Sequence, residues 1–347
     1  MKQNKSFKPY KCLLYKDNFD GIIEGKLRPP IELSLDPCNA CNLKCKWCNA
    51  WRVRDDNKIM SKEDLFWIIK EAADWGVKGV CIAGGGEPTM HPQIAEAIEL
   101  CTKEGLESAI ISNGLNWSDK LIKAMVKNMR WVGISVDAAN ANTFLKEKGV
   151  DGFDRVIKNI KNLVKEREVL KNKTGPGITL KFVIHPLNQE EIYDACKLAK
   201  EIGVDAIHLR PVDFLSYQET EDDLDVRKIN EEVRKAVTLN DNNFEVVPFF
   251  ANFQKDMKRK ITFDKCLLSP LIALCMPTGW WSCVDRRGDK PTKLCDIRDI
   301  RKFWGSKKHL EILNKINPSK DCGKCTMAKY YPWYEAYQND EFFWKFA

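Results

Sequence analysis

The sequence has no long apolar run. Its longest uncharged stretch, the 19 residues Cys266–Val284, carries Pro270, Pro277, Gly279, two serines and three cysteines. That composition excludes a membrane-spanning helix, although the length alone approaches the ~20 residues one needs. The start, MKQNKSFKPYK, is basic, but only the short CLLY follows, so no secretory apolar region is present. Neither sign of charge dominates. Lys and Arg number 56 against 49 Asp and Glu, a net +7 over 347 residues, which permits an anionic partner without demanding one and equally suits a lysine-rich solvated surface. No fixed-period repeat is visible. With 44% apolar and 30% charged residues, the chain is neither disordered nor fibrous. These absences predict a cytoplasmic protein with no membrane span. In that reducing compartment cysteines do not serve as disulfides, yet the chain has 14 of them.

The cysteines are unevenly placed. Four fall within Cys38–Cys48 and six within Cys266–Cys325. Cys81, Cys101 and Cys196 are solitary in apolar patterns and read as small buried side chains. Between the two clusters runs a regular alternation. Strands are predicted at 31–35, 79–83, 108–112, 131–136, 178–184 and 206–209, with helices at 61–75, 91–104, 118–128, 140–147, 153–170, 189–202 and 224–238. Short Ile- and Val-rich strands, each followed by a helix, imply a parallel sheet buried on both faces. Ligands then gather at the C-terminal ends of the strands. The alternation stops near Asn240, where Gly, Pro and Cys become frequent. This divides the chain into a lead-in (1–29), an α/β barrel (30–240) and a small cysteine-rich domain (241–347).

Just after the first strand comes CNACNLKCKWC, with Cys41, Cys45 and Cys48 spaced by three and two residues. Closely spaced thiolates are a zinc signature as well as an iron–sulfur one. A structural zinc site takes four ligands, whereas three thiolates on a cubane leave one iron open. The motif resembles the CxxxCxxC of radical S-adenosylmethionine (SAM) enzymes, including the aromatic Trp47 before the last cysteine. Further motifs follow in order. Gly84–Pro88 (GGGEP) at the end of strand two resembles the family's GGEP. Ser112-Asn113-Gly114 ends strand three, and Ser135 and Asp137 end strand four.

The resemblance implies a partial (β/α)6 TIM-like barrel with a 4Fe-4S cluster on Cys41, Cys45 and Cys48. It also implies SAM contacts from Trp47, Gly85, Gly86, Glu87, Asn113, Ser135 and Asp137. Glycines allow close backbone approach to a ligand, Glu87 offers a carboxylate to an ammonium, and Asp137 can accept from a ribose diol. Cys38 lies outside the triad. The mechanism it implies is reductive cleavage of SAM to a 5′-deoxyadenosyl radical, which abstracts a hydrogen from the substrate.

The C-terminal third resembles the SPASM/twitch extension of the same enzymes. Cys266, a Gly279 hairpin with Cys283, Phe303-Trp304 and the CxxC pair Cys322 and Cys325 match in order. No cysteine follows Cys325, which favours the one-cluster twitch version. The hairpin is one residue short, and Cys295 stands where glycine is usual, so Cys275 and Cys295 are possible substitutes as ligands of this second 4Fe-4S cluster. Zinc on the same four cysteines is the alternative.

His185 and Arg210 follow strands five and six, each directly before a proline, and Asp213 comes next. They are the substrate-pocket candidates: Arg210 as a clamp for carboxylate or phosphate, Asp213 as its partner or a base. The bland reading of each is a structural hydrogen bond or ion pair. Nine aromatics in the 18 residues Tyr330–Ala347 suit packing over the second cluster or the barrel mouth. Residues 1–29 are too few for a leader-peptide recognition domain. The reaction expected is two-electron oxidation of a small polar metabolite, the second cluster taking an electron. An epimerase, in which Cys275 or Cys295 returns hydrogen, a peptide modifier and a non-catalytic electron carrier are the alternatives. A donor such as flavodoxin or ferredoxin is the expected partner, and nucleic acid is not.

Overall fold

The computed structural model describes residues 9–54, 56–169, 175–212, 224–250 and 261–339. The predicted alternation is present. Six strands, β1 (Glu32–Leu35), β2 (Gly79–Ile82), β3 (Glu107–Ser112), β4 (Met129–Ser135), β5 (Gly177–Ile184) and β6 (Ala206–Pro211), pair in parallel in chain order. Before and after β1 lie the short helices α1 (Lys16–Ile23) and α2 (Trp51–Arg54). The crossovers carry α3 (Lys62–Trp75), α4 (Ile94–Lys103), α5 (Asp119–Asn128), α6 (Ala141–Lys148), α7 (Phe153–Val169) and α8 (Ile192–Ile202), and α9 (Val226–Val237) follows β6.

Local chemistry sets the helix starts. Ser61, Ser118 and Asn140 each accept a hydrogen bond from the backbone N–H three residues on, a cap worth about 1 kcal/mol. Asp64 holds the position from which a capping box would reach back, but its carboxylate instead receives Arg298 at 2.6 Å.

Successive strand residues face opposite sides. Leu33, Leu35, Val80, Ile82, Val132, Ile134, Leu180, Phe182, Ile207 and Leu209 pack under the helices in the main core. Their neighbours Ser34, Cys81, Gly133, Ser135, Lys181, His208 and Arg210 therefore line the concave interior.

The sheet does not stop at residue 240. β7 (Glu245–Pro248) adds in parallel beside β6, and β8 (Ile272–Met276) adds in parallel on the far side of β1. β8 then runs antiparallel to β9 (Gly279–Trp281), and β9 to β10 (Lys293–Cys295), giving the order β10-β9-β8-β1-β2-β3-β4-β5-β6-β7. The cysteine-rich segment is thus joined to the barrel by backbone pairing. The lead-in and the aromatic tail share a second small core of Phe19, Leu268, Leu271, Met327, Tyr331 and Tyr334. No described helix is long and apolar enough to cross a membrane.

Candidate active site

The cysteine loop is held by backbone at both ends. Lys44 N and Lys46 N donate to the last carbonyls of α6, those of Lys148 and Glu147, at 2.9 and 2.8 Å. On the other side Gly86 N donates to Cys38 O at 3.0 Å and Glu87 N to Ala40 O at 2.9 Å. The GGGEP turn therefore lies along the cysteine loop itself. A Cβ at Gly86 would meet Ala40 O at 2.1 Å, and one at Gly85 would meet Asn39 Oδ1 at 2.6 Å. The expected close approach is real, but it is to the loop's own residues. Cys38 is fully buried, and its Sγ donates to Glu87 O at 2.8 Å, so it staples loop to turn.

Glu87 is buried at the ends of β2 and β3. Its Oε1 accepts from Thr89 N (3.1 Å), Thr89 Oγ1 (2.6 Å) and Ser112 Oγ (2.7 Å), and its Oε2 from Asn113 N (2.7 Å). Burial pushes its carboxyl up and these donors pull it back. One acceptor position on Oε2 stays available to an ammonium. Asn113 Nδ2 donates to Asn42 Oδ1 at 2.7 Å, tying strand three to the cysteine loop.

Asp137 is held from two sides. It sits in the left-handed region, φ 55°, just beyond β4. Its Oδ1 accepts from Val183 N at 2.6 Å, and its Oδ2 pairs with buried Lys148, which also holds Glu147 at 2.9 Å. Each oxygen takes one partner within the protein and keeps a further acceptor position, so the ribose contact expected there would be made beside Lys148 and Val183 N. Ser135 ends β4 opposite Lys181 on β5.

Trp47 is buried and stacks on His185, 4.0 Å between centroids. Asn188 Nδ2 lies 2.9 Å from His185 Nε2, which makes Nε2 the acceptor and assigns the proton to Nδ1. That Nδ1, Trp47 Nε1 and Asn42 Nδ2 are buried and take no partner among the described residues. Unpaired buried donors are rare. Three of them around one cysteine loop suit a polar cofactor seated beside it. Burial also pushes the Cys41 thiol up and that of Cys45 to about 12. Thiolates there need a compensating cation, which cluster iron provides. Among the described residues no three Cys, His, Asp or Glu side chains close to single-ion distance.

Residues 35–199 match the model of the Radical SAM superfamily. Those residues form a radical SAM domain. A probable GTP 3′,8-cyclase of Saccharolobus solfataricus is 32% identical over 214 residues, 60% of this chain and 66% of that protein. A probable GTP 3′,8-cyclase of Metallosphaera sedula is 30% identical over 192 residues, 54% of this chain and 57% of that protein. The chain thus spans less than two thirds of the length of each of these relatives, 66% and 57%. Streptococcus suis SuiB, in a crystal structure with its precursor peptide SuiA, shares the fold with a TM-score of 0.67 at 20% identity, covering 89% of this chain and 73% of that one. The structure of anSMEcpe with bound AdoMet and a peptide gives 0.62 at 18% identity, covering 87% and 88%. Radical SAM enzymes use a 4Fe-4S cluster and SAM, and the triad loop with its orphan donors fits both.

The second cysteine set of this radical SAM chain gathers opposite the barrel interior. Asp285 accepts from Thr326 N at 2.5 Å and Thr326 Oγ1 at 2.8 Å, drawing the Cys283 segment to the CxxC turn. Cys266 lies within charge range of Cys283, Cys322 and Cys325, and burial raises all four thiols. Tyr331 seals the Cys266 side: its hydroxyl donates to Lys265 O at 2.6 Å and accepts from Leu267 N at 2.9 Å. Arg287 reaches into the barrel to Asp36 Oδ2 at 2.7 Å. This donor set, four neutral thiols held together by surrounding contacts, fits a second cluster.

Cys275 and Cys295, the possible substitutes, lie elsewhere. Cys275 pairs in register with Leu35 on the helix-packed face of the sheet and is fully buried. Cys295, at the end of β10, faces an outer groove with Asp299, Lys302 and Lys308. The one cysteine acting on Cys275 is Cys295, and the groups acting on Cys295 are Asp299, Asp296, Lys293 and Lys308, none of the set of four. Strand alternation explains the difference, since Cys275 is an odd position on β8 and the interior takes Leu274.

Of the pocket candidates, His185 belongs to the cysteine loop through Trp47, away from the barrel floor. Arg210 does face the interior, its guanidinium 4.4 Å over the Phe249 ring. Asp213 lies outside the described residues. Two interior residues were missed. Lys181 is hidden as the one charged residue of the strand 178–184, and the apolar setting of Cys81 reads as core. Strand parity is the signal that would have found both: Lys181 and Cys81 share the face of Ser135 and Ser34.

Proposed function

We propose that this protein is a radical SAM oxidoreductase that removes hydrogen from a carbon of a small polar metabolite held in the barrel. The observation supporting the reading is that both cysteine sets are tied to one barrel. Cys41, Cys45 and Cys48 stand at the strand ends with Glu87, while Cys266, Cys283, Cys322 and Cys325 are pinned to the same barrel by Arg287 on Asp36 and by β8 on β1. When bound, the first cluster and SAM supply a 5′-deoxyadenosyl radical, and a second cluster supplies a one-electron acceptor.

The chain's own residues do the rest. Glu87 orients an ammonium, Trp47 and His185 form a flat wall beside the loop, and the strands exclude water. Four protein thiols on the second cluster leave no iron free for substrate, which favours electron transfer over substrate ligation there. The oxidation balances as one hydrogen atom to the radical, one proton to a base or solvent, and one electron to the second cluster. Reduction at the first site calls for a flavodoxin- or ferredoxin-type donor.

A redox-neutral cyclisation of a nucleotide is the second reading. It is supported by the 32% identity of the barrel with a probable GTP 3′,8-cyclase. Incubation of the reduced holoprotein with SAM and GTP separates the two. A cyclised nucleotide product supports cyclisation, and unchanged GTP leaves the oxidation reading standing. Oxidation is then tested by screening small polar metabolites for a product two mass units lighter, formed with 5′-deoxyadenosine. Solvent deuterium returned to an otherwise unchanged substrate would replace oxidation by epimerisation.

A further inference from the structure

Lys181 and Arg210 stand on neighbouring strands of the interior wall. In the β5–β6 register Lys181 is opposite His208, and Arg210 is opposite Val183, so by parity both side chains enter the barrel. Gly133 on β4 leaves room for the lysine, because a Cβ there would lie 2.9 Å from Lys181 Cε. The Lys181 ammonium sits 4.7 Å over the Trp131 ring and the Arg210 guanidinium 4.4 Å over Phe249. Aromatic faces steady a cation without neutralising it.

Neither cation has an anionic partner among the described residues. Arg210 Nε is buried without a hydrogen bond. The acids within charge range are already committed. Asp285, which faces Arg210, accepts from Thr326. Asp137, which faces Lys181, is held by Lys148 and Val183. The other facing groups are Cys81, which is a neutral thiol, and Lys324 and Lys329, which add positive charge. Two sequestered cations repelling each other are costly unless an anion joins them.

We propose that Lys181 and Arg210 together hold an anionic group of the substrate, a carboxylate or a phosphate, against the β5–β6 wall. This rests on reading the barrel as the substrate chamber of a radical SAM enzyme. The arginine supplies a planar fork and the lysine a point charge, a pairing suited to one doubly coordinated oxyanion. The anion anchors the substrate on the wall across the interior from β1 and β2, with its reacting carbon left free toward the cysteine loop.

The test uses anaerobically reconstituted holoprotein. Its thermal midpoint is followed with inorganic phosphate and, separately, acetate, at ionic strength held constant with chloride. At least one anion should raise the midpoint saturably. Lys181→Gln and Arg210→Gln should each weaken that binding tenfold or more, while SAM still raises the midpoint of both variants and so reports their fold. Phosphate acting alone identifies a phosphorylated substrate, and acetate acting identifies a carboxylate. No shift with either anion, or equal shifts in wild type and variants, overturns the proposal. A wild type that cleaves SAM yet ignores both anions overturns only this proposal. A wild type that never cleaves SAM overturns the enzyme reading beneath it.

Discussion

Trp47 lies nearly parallel to His185, with 4.0 Å between ring centroids and 19° between planes. A loop residue beside the cysteine triad is thereby fixed to the exit of β5. The imidazole must be neutral for this packing, and burial with the Lys148 and Lys46 charges pushes it down to about 2. Burial likewise lowers His208 to about 3 and His309 to about 4. In each case the unfolded chain binds a proton near pH 6.5 and the folded one does not. The stability they confer is complete above that pH and is lost as pH falls through 6.5. Between pH 7.5 and 6.0 the loss is about 0.8 kcal/mol per group. Urea midpoints should fall accordingly, and His309→Gln should remove about a third of what these three histidines contribute to that slope.

Gly86→Ala should prevent assembly of the first site. The added methyl would press on Ala40 O at 2.1 Å and Asn39 O at 2.4 Å, and both are backbone atoms that cannot step aside. Gly76→Ala, with nothing within 4 Å of its Cβ position but φ of 97°, makes a matched strain control. Iron bound per chain should drop in the first variant and hold in the second.

Cysteine replacements separate ligands from bystanders. Cys283→Ala or Cys325→Ala should cut iron and sulfide from about eight to about four per chain. Cys275→Ala and Cys295→Ala should leave about eight, because one faces the helix-packed core and the other an outer groove. Iron lost in Cys295→Ala would return that residue to the ligand set.

Lys148→Met removes the one cation that, among the described residues, pairs with the buried carboxylates of Asp137 and Glu147. The Lys148, Asp137 and Glu147 side chains are 3%, 7% and 3% exposed. Leaving the acids unpaired should cost about 3–5 kcal/mol of unfolding free energy in urea titration. Adding Glu147→Gln should recover part of it. Equal stability of wild type and Lys148→Met would show that the network carries no net stabilisation.

Local signals in the sequence exposed most of the barrel. Ser61, Ser118 and Asn140 mark helix starts in the sequence and cap them in the structure, and the six strands fall within two residues of their expected ends. β7 and β8 were not legible. β7 follows a polar turn, LNDNN, that reads as the end of the alternation, and β8 lies in the Pro- and Cys-rich uncharged run where no periodicity stands out. Motif matching brings Glu87 and the triad together, but spacing gives no sign that Lys148 folds back onto Asp137. Lys181 shows the opposite limit. A charged residue inside an apolar strand becomes meaningful only once parity assigns it to the barrel interior.

Cys41, Cys45, Cys48 and Glu87 are proposed to form one site that reductively cleaves SAM. The most direct measurement is 5′-deoxyadenosine and methionine released by anaerobically reconstituted protein given SAM and a strong reductant. Wild type should release both products in equal amounts and Cys45→Ala neither. Intact SAM after incubation with the reduced wild-type protein, or undiminished cleavage by Cys45→Ala, would contradict it.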